Sequence, residues 1–124
     1  MLCVPEIARQ LQSPGDLLQQ TLLRSYRTDE WPEWFQSDGL ATQAAPPQSI
    51  VFDSSLAMME AALQGSGVAL APPMMFARQL AAEAICQPFA IEITTGSYWL
   101  TRLQSRPETA AMTAFKTWLL QIST

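Results

Sequence analysis

The chain has 124 residues, with 7 basic and 11 acidic side chains and a formal charge of −4. This length fits one domain, since domains typically need about 100 to 150 residues, and it excludes a second full domain. The 48% of hydrophobic residues supply enough apolar surface for a folded core. The absence of histidine excludes Ser/His/Asp and Cys/His catalytic sites and imidazole metal sites.

Cysteine use and the amino-terminal residues indicate a reduced, cytoplasmic protein. Cys3 and Cys86 are far apart and form no CxxC pair, so we expect neither a zinc site nor a disulfide framework. Residues 1–6 lack the features of a secretory signal, and Pro72 and Pro73 interrupt the most apolar stretch. We therefore expect no membrane association, no metal and no cofactor. Because the cations are few and scattered, this chain alone should not bind nucleic acid.

Short apolar runs alternate with amphipathic stretches, and this pattern predicts an α/β fold in which helices pack on a sheet. Ser13 as an N-cap, Pro14 in the first turn and Asp16 three residues after the cap predict a short helix at 14–20. The next predicted elements are a strand at 21–26, a helix at 30–37 with an aromatic face of Trp31, Trp34 and Phe35, and a proline-containing loop at 41–48.

The second half of the chain continues the alternation. A buried strand is predicted at 49–53, and after it Leu56, Met59 and Leu63 recur at helical spacing until Gly65. The remaining elements of this part are a strand at 67–71 and a helix at 74–83.

The carboxyl-terminal part has a different pattern. Extended pieces are predicted at 88–93 and 97–103, on either side of Thr95 and Gly96. Ser105, Pro107 and Glu108 predict a capping box that begins a final helix. The apolar stripe of that helix is Met112, Phe115, Leu119 and Ile122.

The polar turn of Asp53, Ser54 and Ser55 is the first candidate binding site. It follows a predicted strand and begins a helix, so its hydroxyls and the free amides of the helix start favour an anionic group, by about 0.3 to 2 kcal/mol from the helix dipole. In open α/β sheets, ligands lie at the carboxyl ends of the strands. The alternative is that Ser54 only caps its own helix and Ser55 faces water.

Tyr98 is the second candidate. In an extended run, Tyr98 and Arg102 point to one face, and Trp99 and Leu103 point to the other. The Tyr98 hydroxyl either donates a hydrogen bond to a ligand or is an ordinary strand hydroxyl in water. The same two roles, ligand contact or structure, are open to Arg24, Ser25 and Tyr26, and the structural one is favoured. Arg27, Asp29 and Glu30 are expected to form a solvated charge cluster. The pairs Met58-Met59 and Met74-Met75 are better explained by core packing than by a soft-metal site.

An enzymatic function has little support in the residues. Asp38 and Asp53 have no carboxylate partner for acid/base chemistry, and no thiol constellation is present. Residues 65–67 are too short for a phosphate-binding loop and more simply end a helix and start a strand.

Four blocks in order carry a resemblance to a known family. They are TLLRSYR with DEW at 21–31, VFDSS at 51–55, GVALAPP at 67–73 and GSYWLTRL at 96–103. Together they resemble a LysR-type transcriptional regulator, over nearly the whole chain and with little agreement at 37–49. The likeness is strongest to the members of the family that regulate inducible chromosomal β-lactamase.

The resemblance implies the carboxyl-terminal part of an effector-binding domain, with two lobes like a periplasmic binding protein and a three-layer, mixed-sheet architecture. Residues from about 14 to 84 would form the second lobe, and residues from about 88 to 124 the strand and helix that return to the first lobe. In the β-lactamase regulators, the effectors are cell-wall muropeptides and nucleotide-linked precursors. The resemblance implies ligand contacts from Ser55 and Tyr98, with Ser54 and Asp53 behind them.

Two functions are therefore weighed. The first is a ligand-sensing regulatory domain that lacks the DNA-binding domain. The second is an oligomerisation or partner-binding module with no small-molecule ligand. Under either function, the returning segment lacks the sheet that it would complete. We therefore expect an exposed apolar patch of Trp99, Leu103, Phe115 and Trp118. Two copies of the chain should associate through this patch as a homodimer, with or without exchange of the carboxyl-terminal segments.

Overall fold

A small parallel sheet organises the chain. The structure, a computed structural model, describes residues 1–40 and 48–123. Its strands are β1 (Leu22–Arg24), β2 (Ser49–Val51) and β3 (Val68–Ala69). The helices are α1 (Pro5–Ala8), α2 (Glu30–Ser37), α3 (Ser55–Leu63), α4 (Ala77–Ala81) and α5 (Ala110–Ile122), with 3-10 helices at Pro14–Gln19 and Pro73–Phe76.

Strand β1 lies at the centre of the sheet, in the order β2-β1-β3. Leu22 pairs with Ser49 on one side and with Val68 on the other, and both pairings are parallel. Gly67 precedes β3, where a Cβ atom would overlap the carbonyl oxygen of Thr21. Glycine at this position therefore allows β3 to approach β1 closely.

Two hydrophobic cores lie on opposite faces of the sheet. Leu22 belongs to the core that contains α2, and Leu23 belongs to the core that contains α3. Both leucines are 0% exposed, as expected for neighbouring residues of a central strand, whose side chains point to opposite faces. The result is the predicted three-layer arrangement of helix, sheet and helix.

The tryptophans of α2 attach this helix to other elements. The Trp31 indole donates a hydrogen bond to the Leu23 carbonyl oxygen at 3.2 Å, and the Trp34 indole donates one to the Ile91 carbonyl oxygen at 3.1 Å. Both rings are buried. The predicted aromatic face of this helix is thus confirmed, and its bonds satisfy the two buried indole N–H groups.

The amino-terminal residues add antiparallel contacts to the sheet. Leu2 bridges to Ala69, and Cys3 bridges to Cys86, with reciprocal backbone hydrogen bonds in both cases. Neither cysteine is in a disulfide. Burial, followed by the neighbouring Cys86, raises the pKa of the Cys3 thiol to about 12, so this side chain is a neutral core residue.

Most predicted elements are confirmed, with shorter bounds. The capping box at Ser13 and Asp16 is present, although the helix that it begins is 3-10 rather than α. Hydrogen bonds from the backbone N–H groups of Ser13 and Gln12 lower the pKa of the Asp16 carboxyl. The predicted helix at 30–37 is confirmed at both ends, whereas the predicted loop at 41–48 falls almost entirely outside the described residues.

The prediction of a buried strand at 49–53 is wrong in its burial. All three residues of β2 are exposed, because β2 is the edge strand of the sheet and its side chains lie beyond the two cores. The assignment of both methionine pairs to the core is half right. Met58 and Met59 are buried, but Met74 and Met75 are 71% and 49% exposed, since they lie in the 3-10 turn at Pro73–Phe76.

The carboxyl-terminal predictions differ most from the structure. The extended piece at 97–103 pairs with no strand among the described residues. Helix α5 begins at Ala110, with the Thr109 hydroxyl accepting a hydrogen bond from the Met112 N–H at 3.2 Å, so the predicted capping box at Ser105 is wrong. Pro107 explains the difference, because a residue that precedes proline disfavours helical backbone angles.

Within the predicted returning segment, residues 97–123 include no buried residue. The predicted exposure is confirmed for Trp99, Leu103, Phe115 and Trp118, which are 84%, 65%, 52% and 52% exposed, and their association in one patch stays a prediction. No helix among the described residues is long and apolar enough to cross a membrane. The division into lobes at 14–84 and 88–124 stays a prediction.

Candidate functional site

A cavity lies at the carboxyl edge of the sheet, where all three parallel strands end. Its volume is about 500 Å³, within the range of small-molecule sites, which is about 300 to 1,000 Å³. Residues that follow all three strands line the cavity. They are Ser25 to Arg27 after β1, Ser55 after β2 and Leu70 to Pro73 after β3. The opposite wall is formed by Ile91 to Tyr98.

Ser55 and Ser54 have different positions at the start of α3. Ser55 is the first residue of the helix and lines the cavity, and its exposed hydroxyl makes no hydrogen bond within the described part of the chain. Ser54 is the N-cap, and its hydroxyl accepts a hydrogen bond from the Ala57 N–H at 3.3 Å. Ser54 thus has the capping role that the sequence left open for it, whereas Ser55 is available to a ligand.

Tyr98 lies on the facing wall of the same cavity. Its side chain is 87% exposed, and its hydroxyl donates a hydrogen bond to the Met75 sulfur at 3.7 Å. Because a thioether is a weak acceptor, a ligand oxygen would replace it at little cost. The structure therefore brings Ser55 and Tyr98 together around one cavity.

Asp53 and Ser54 lie outside that cavity. They line a second, smaller space of about 50 Å³, which Ser25, Tyr26 and Ser55 also border. The volume is enough for little more than a water molecule or two. Asp53 and Ser54 are therefore placed behind Ser55, at the edge of the site rather than in its main space.

Arg27 and Asp29, which were predicted to form a solvated charge cluster with Glu30, are exposed, and Glu30 is half-buried. Within the described residues the structure has one ion pair, between Arg9 and Glu6. The Arg27 guanidinium donates to the Thr95 carbonyl oxygen at 2.9 Å, and Glu30 accepts a hydrogen bond from the Ser25 hydroxyl at 2.9 Å. Arg27 and Glu30 thus bond to different partners.

Three lining residues, Ser25, Arg27 and Glu30, are functional candidates that the sequence analysis missed. The Ser25 hydroxyl accepts from the Arg27 N–H at 3.1 Å while it donates to Glu30, and so holds the turn. A signal for them was available. They follow a predicted strand, and ligands in open α/β sheets lie at the carboxyl ends of the strands.

Comparison with known proteins decides the family. The sequence profile of the LysR substrate binding domain family matches residues 1–123. The chain belongs to the LysR substrate-binding domain family. Among curated relatives, it is 68% identical over 123 residues to the HTH-type transcriptional activator AmpR of Pseudomonas aeruginosa. The matched region covers 99% of this chain and 42% of that protein.

Solved structures of this LysR family confirm the predicted fold. The effector domain of AmpR from Pseudomonas aeruginosa superimposes with a TM-score of 0.89 at 69% identity, over 98% of this chain and 59% of that one. A Citrobacter freundii effector-binding domain with three substitutions gives a TM-score of 0.89 at 51% identity, over 98% of this chain and 61% of that one. The chain therefore has the α/β fold of these periplasmic-binding-protein-like domains.

The LysR-family chain spans about two fifths of the length of the curated relatives that it matches. The three substitutions in the Citrobacter freundii domain are threonine to valine, serine to alanine and tyrosine to phenylalanine. Each of the three replaces a hydroxyl-bearing side chain by one of similar shape that cannot form the same hydrogen bond.

The different positions of Ser54 and Ser55 predict different effects on stability. Ser54→Ala should reduce the free energy of unfolding by about 1 kcal/mol, because it removes the N-cap of α3. Ser55→Ala should change it by less than about 0.5 kcal/mol, because the exposed hydroxyl has no partner to lose. Urea unfolding of the two variants and the parent chain measures the difference, and equal losses would contradict the assignment.

Proposed function

We propose that this chain is the effector-binding part of a transcriptional regulator of the AmpR type, and that its cavity binds a cell-wall muropeptide or a nucleotide-linked cell-wall precursor. Control of β-lactamase expression and action in the cytoplasm belong to the same proposal. The observation that carries it is the single cavity shared by Ser55 and Tyr98. The names of the relatives support the regulatory role.

The substituted Citrobacter freundii domain supports the choice of these two hydroxyls. Its altered serine and tyrosine are separated by 43 positions in that domain's own numbering. Ser55 and Tyr98 have the same separation here. Because Tyr26 is the other tyrosine of this chain and no serine precedes it at that distance, we infer from the spacing that Ser55 and Tyr98 are the equivalent residues.

The cavity favours binding rather than catalysis. Its lining offers hydroxyls, one guanidinium and apolar surface from residues such as Met58 and Trp34. It has no histidine and no thiol, and its two carboxylates, Glu30 and Glu92, accept hydrogen bonds from Ser25 and Gln87. These groups orient a polar ligand against an apolar wall, as expected for an effector site.

Calorimetry with a muropeptide tests the site. Ser55→Ala and Tyr98→Phe should each weaken binding by about two- to tenfold, because each removes one hydrogen bond of about 0.5 to 1.5 kcal/mol. Ser66→Ala is the matched control, since Ser66 is exposed and lines neither cavity. Unchanged affinity in both site variants, or an equal loss in the control, would contradict the ligand assignment.

The exposed returning segment supports association of two copies. Phe115 and Trp118 lie side by side on α5, with ring centroids 5.7 Å apart. Trp99 and Leu103 are exposed as well, and soluble proteins usually bury exposed apolar surface of this kind by association. We propose a homodimer through this patch, which is also the surface that an oligomerisation module without a ligand would use.

Light scattering at several concentrations measures the association. The parent chain should have the mass of a dimer at high concentration, and Phe115→Glu should shift it to a monomer, because a charge in an apolar interface is not solvated. Lys116→Glu, on the same helix, is the control that should leave the dimer intact. A parent chain that stays monomeric throughout the series would contradict the dimer.

A further inference from the structure

Arg27 combines three properties that the proposed site does not yet use. It lines the cavity, it is exposed, and it is the one basic side chain among the lining residues. No carboxylate of the described residues lies within ion-pair distance of its guanidinium. A cation at the wall of a cavity, without an acidic partner of its own, is available to an acidic group of a ligand.

The hydrogen bonds of Arg27 fix its position and leave donors over. One nitrogen of the guanidinium donates to the Thr95 carbonyl oxygen at 2.9 Å, and the backbone N–H donates to the Ser25 hydroxyl at 3.1 Å. A guanidinium has five N–H donors, so this bond uses only a fraction of them. The remaining planar edge matches a carboxylate or a phosphate, which arginine binds through two parallel hydrogen bonds.

The charges around the cavity give Arg27 a selective role. Glu30 and Glu92 also line the space, and the whole chain has a net charge of −4. Arg27 is the one lining side chain that attracts an anionic ligand, beside the amino-terminal ammonium of Met1, which also lines the space. This side chain thus decides whether an acidic ligand binds and in which orientation.

We infer that Arg27 binds an acidic group of the effector, a carboxylate or a phosphate, and is the residue that makes the cavity selective for anionic ligands. The inference rests on the proposed effector-binding function. Through its bond to Thr95, Arg27 also connects the turn after β1 to the segment that carries Tyr98. The group that binds the acid and the tyrosine hydroxyl would thus belong to one connected wall of the cavity.

The test pairs variants of the chain with variants of the ligand. A muropeptide with free peptide carboxylates is compared by calorimetry with the same molecule in which they are carboxamides. A nucleotide-linked precursor is compared with its counterpart lacking the nucleotide. These arms distinguish a carboxylate from a phosphate as the group that Arg27 binds.

Arg27→Gln should weaken binding of the acidic ligand by about tenfold to a hundredfold, because it removes a charge-assisted pair of hydrogen bonds. The neutral ligand should bind the parent chain more weakly than the acidic ligand does, by the same factor. Arg27→Gln should not weaken binding of the neutral ligand further. Arg27→Lys keeps the charge without the planar fork, and it should give an intermediate loss. Arg9→Gln is the matched control for net charge, because Arg9 lies outside the cavity.

The outcomes separate this inference from the proposed function. If acidic and neutral ligands bind equally well to the parent chain, Arg27 does not select anions, although the cavity still binds effectors. If Arg27→Gln weakens both ligands by the same factor, Arg27 acts only through Thr95, and the anion assignment is wrong. If no ligand of either pair binds, the proposed function and this inference both fail.

Discussion

The pairing of β1 between two parallel neighbours is the constraint on which the rest of the structure depends. Its two leucines enter separate cores on the two faces of the sheet, and burial of each contributes about 1.5 to 3 kcal/mol. Its backbone fixes the register of β2 and β3. Because all three strands run in one direction, their carboxyl ends meet at one edge. That geometry forms one wall of the cavity, and residues 91–98 form the opposite wall.

The cavity has one fixed wall and one attached wall. The sheet edge and the start of α3 form the fixed wall, because the sheet and α3 contribute residues to the hydrophobic cores. The attached wall, from Ile91 to Tyr98, is held by the Trp34 indole at Ile91 and by the Arg27 guanidinium at Thr95. A ligand that contacts Ser55 and Tyr98 would bridge the two walls. Under the proposed effector-binding function, such a ligand would change how the two walls are linked.

Local chemistry made much of the fold predictable from the sequence. The aromatic spacing of α2, the Ser54 cap and the capping box at Ser13 act within a few residues, and the structure retains all three. Features that depend on distant neighbours were harder to predict. The edge position of β2 and the hydrogen bond of Arg27 to Thr95 each depend on a partner far away in sequence. The residues of the candidate site were predictable as a strand-end turn, but spacing alone did not assign Ser54 to the cap and Ser55 to the cavity.

The central claim is that a ligand occupies the carboxyl edge of the sheet. Amide chemical shifts of the ¹⁵N-labelled chain, followed during titration with a muropeptide, test it most directly. We expect the largest shifts at Arg27, Ser55 and Tyr98 and at their immediate neighbours. Shifts confined to the exposed face of α4 or to α5, with these amides unchanged, would contradict it.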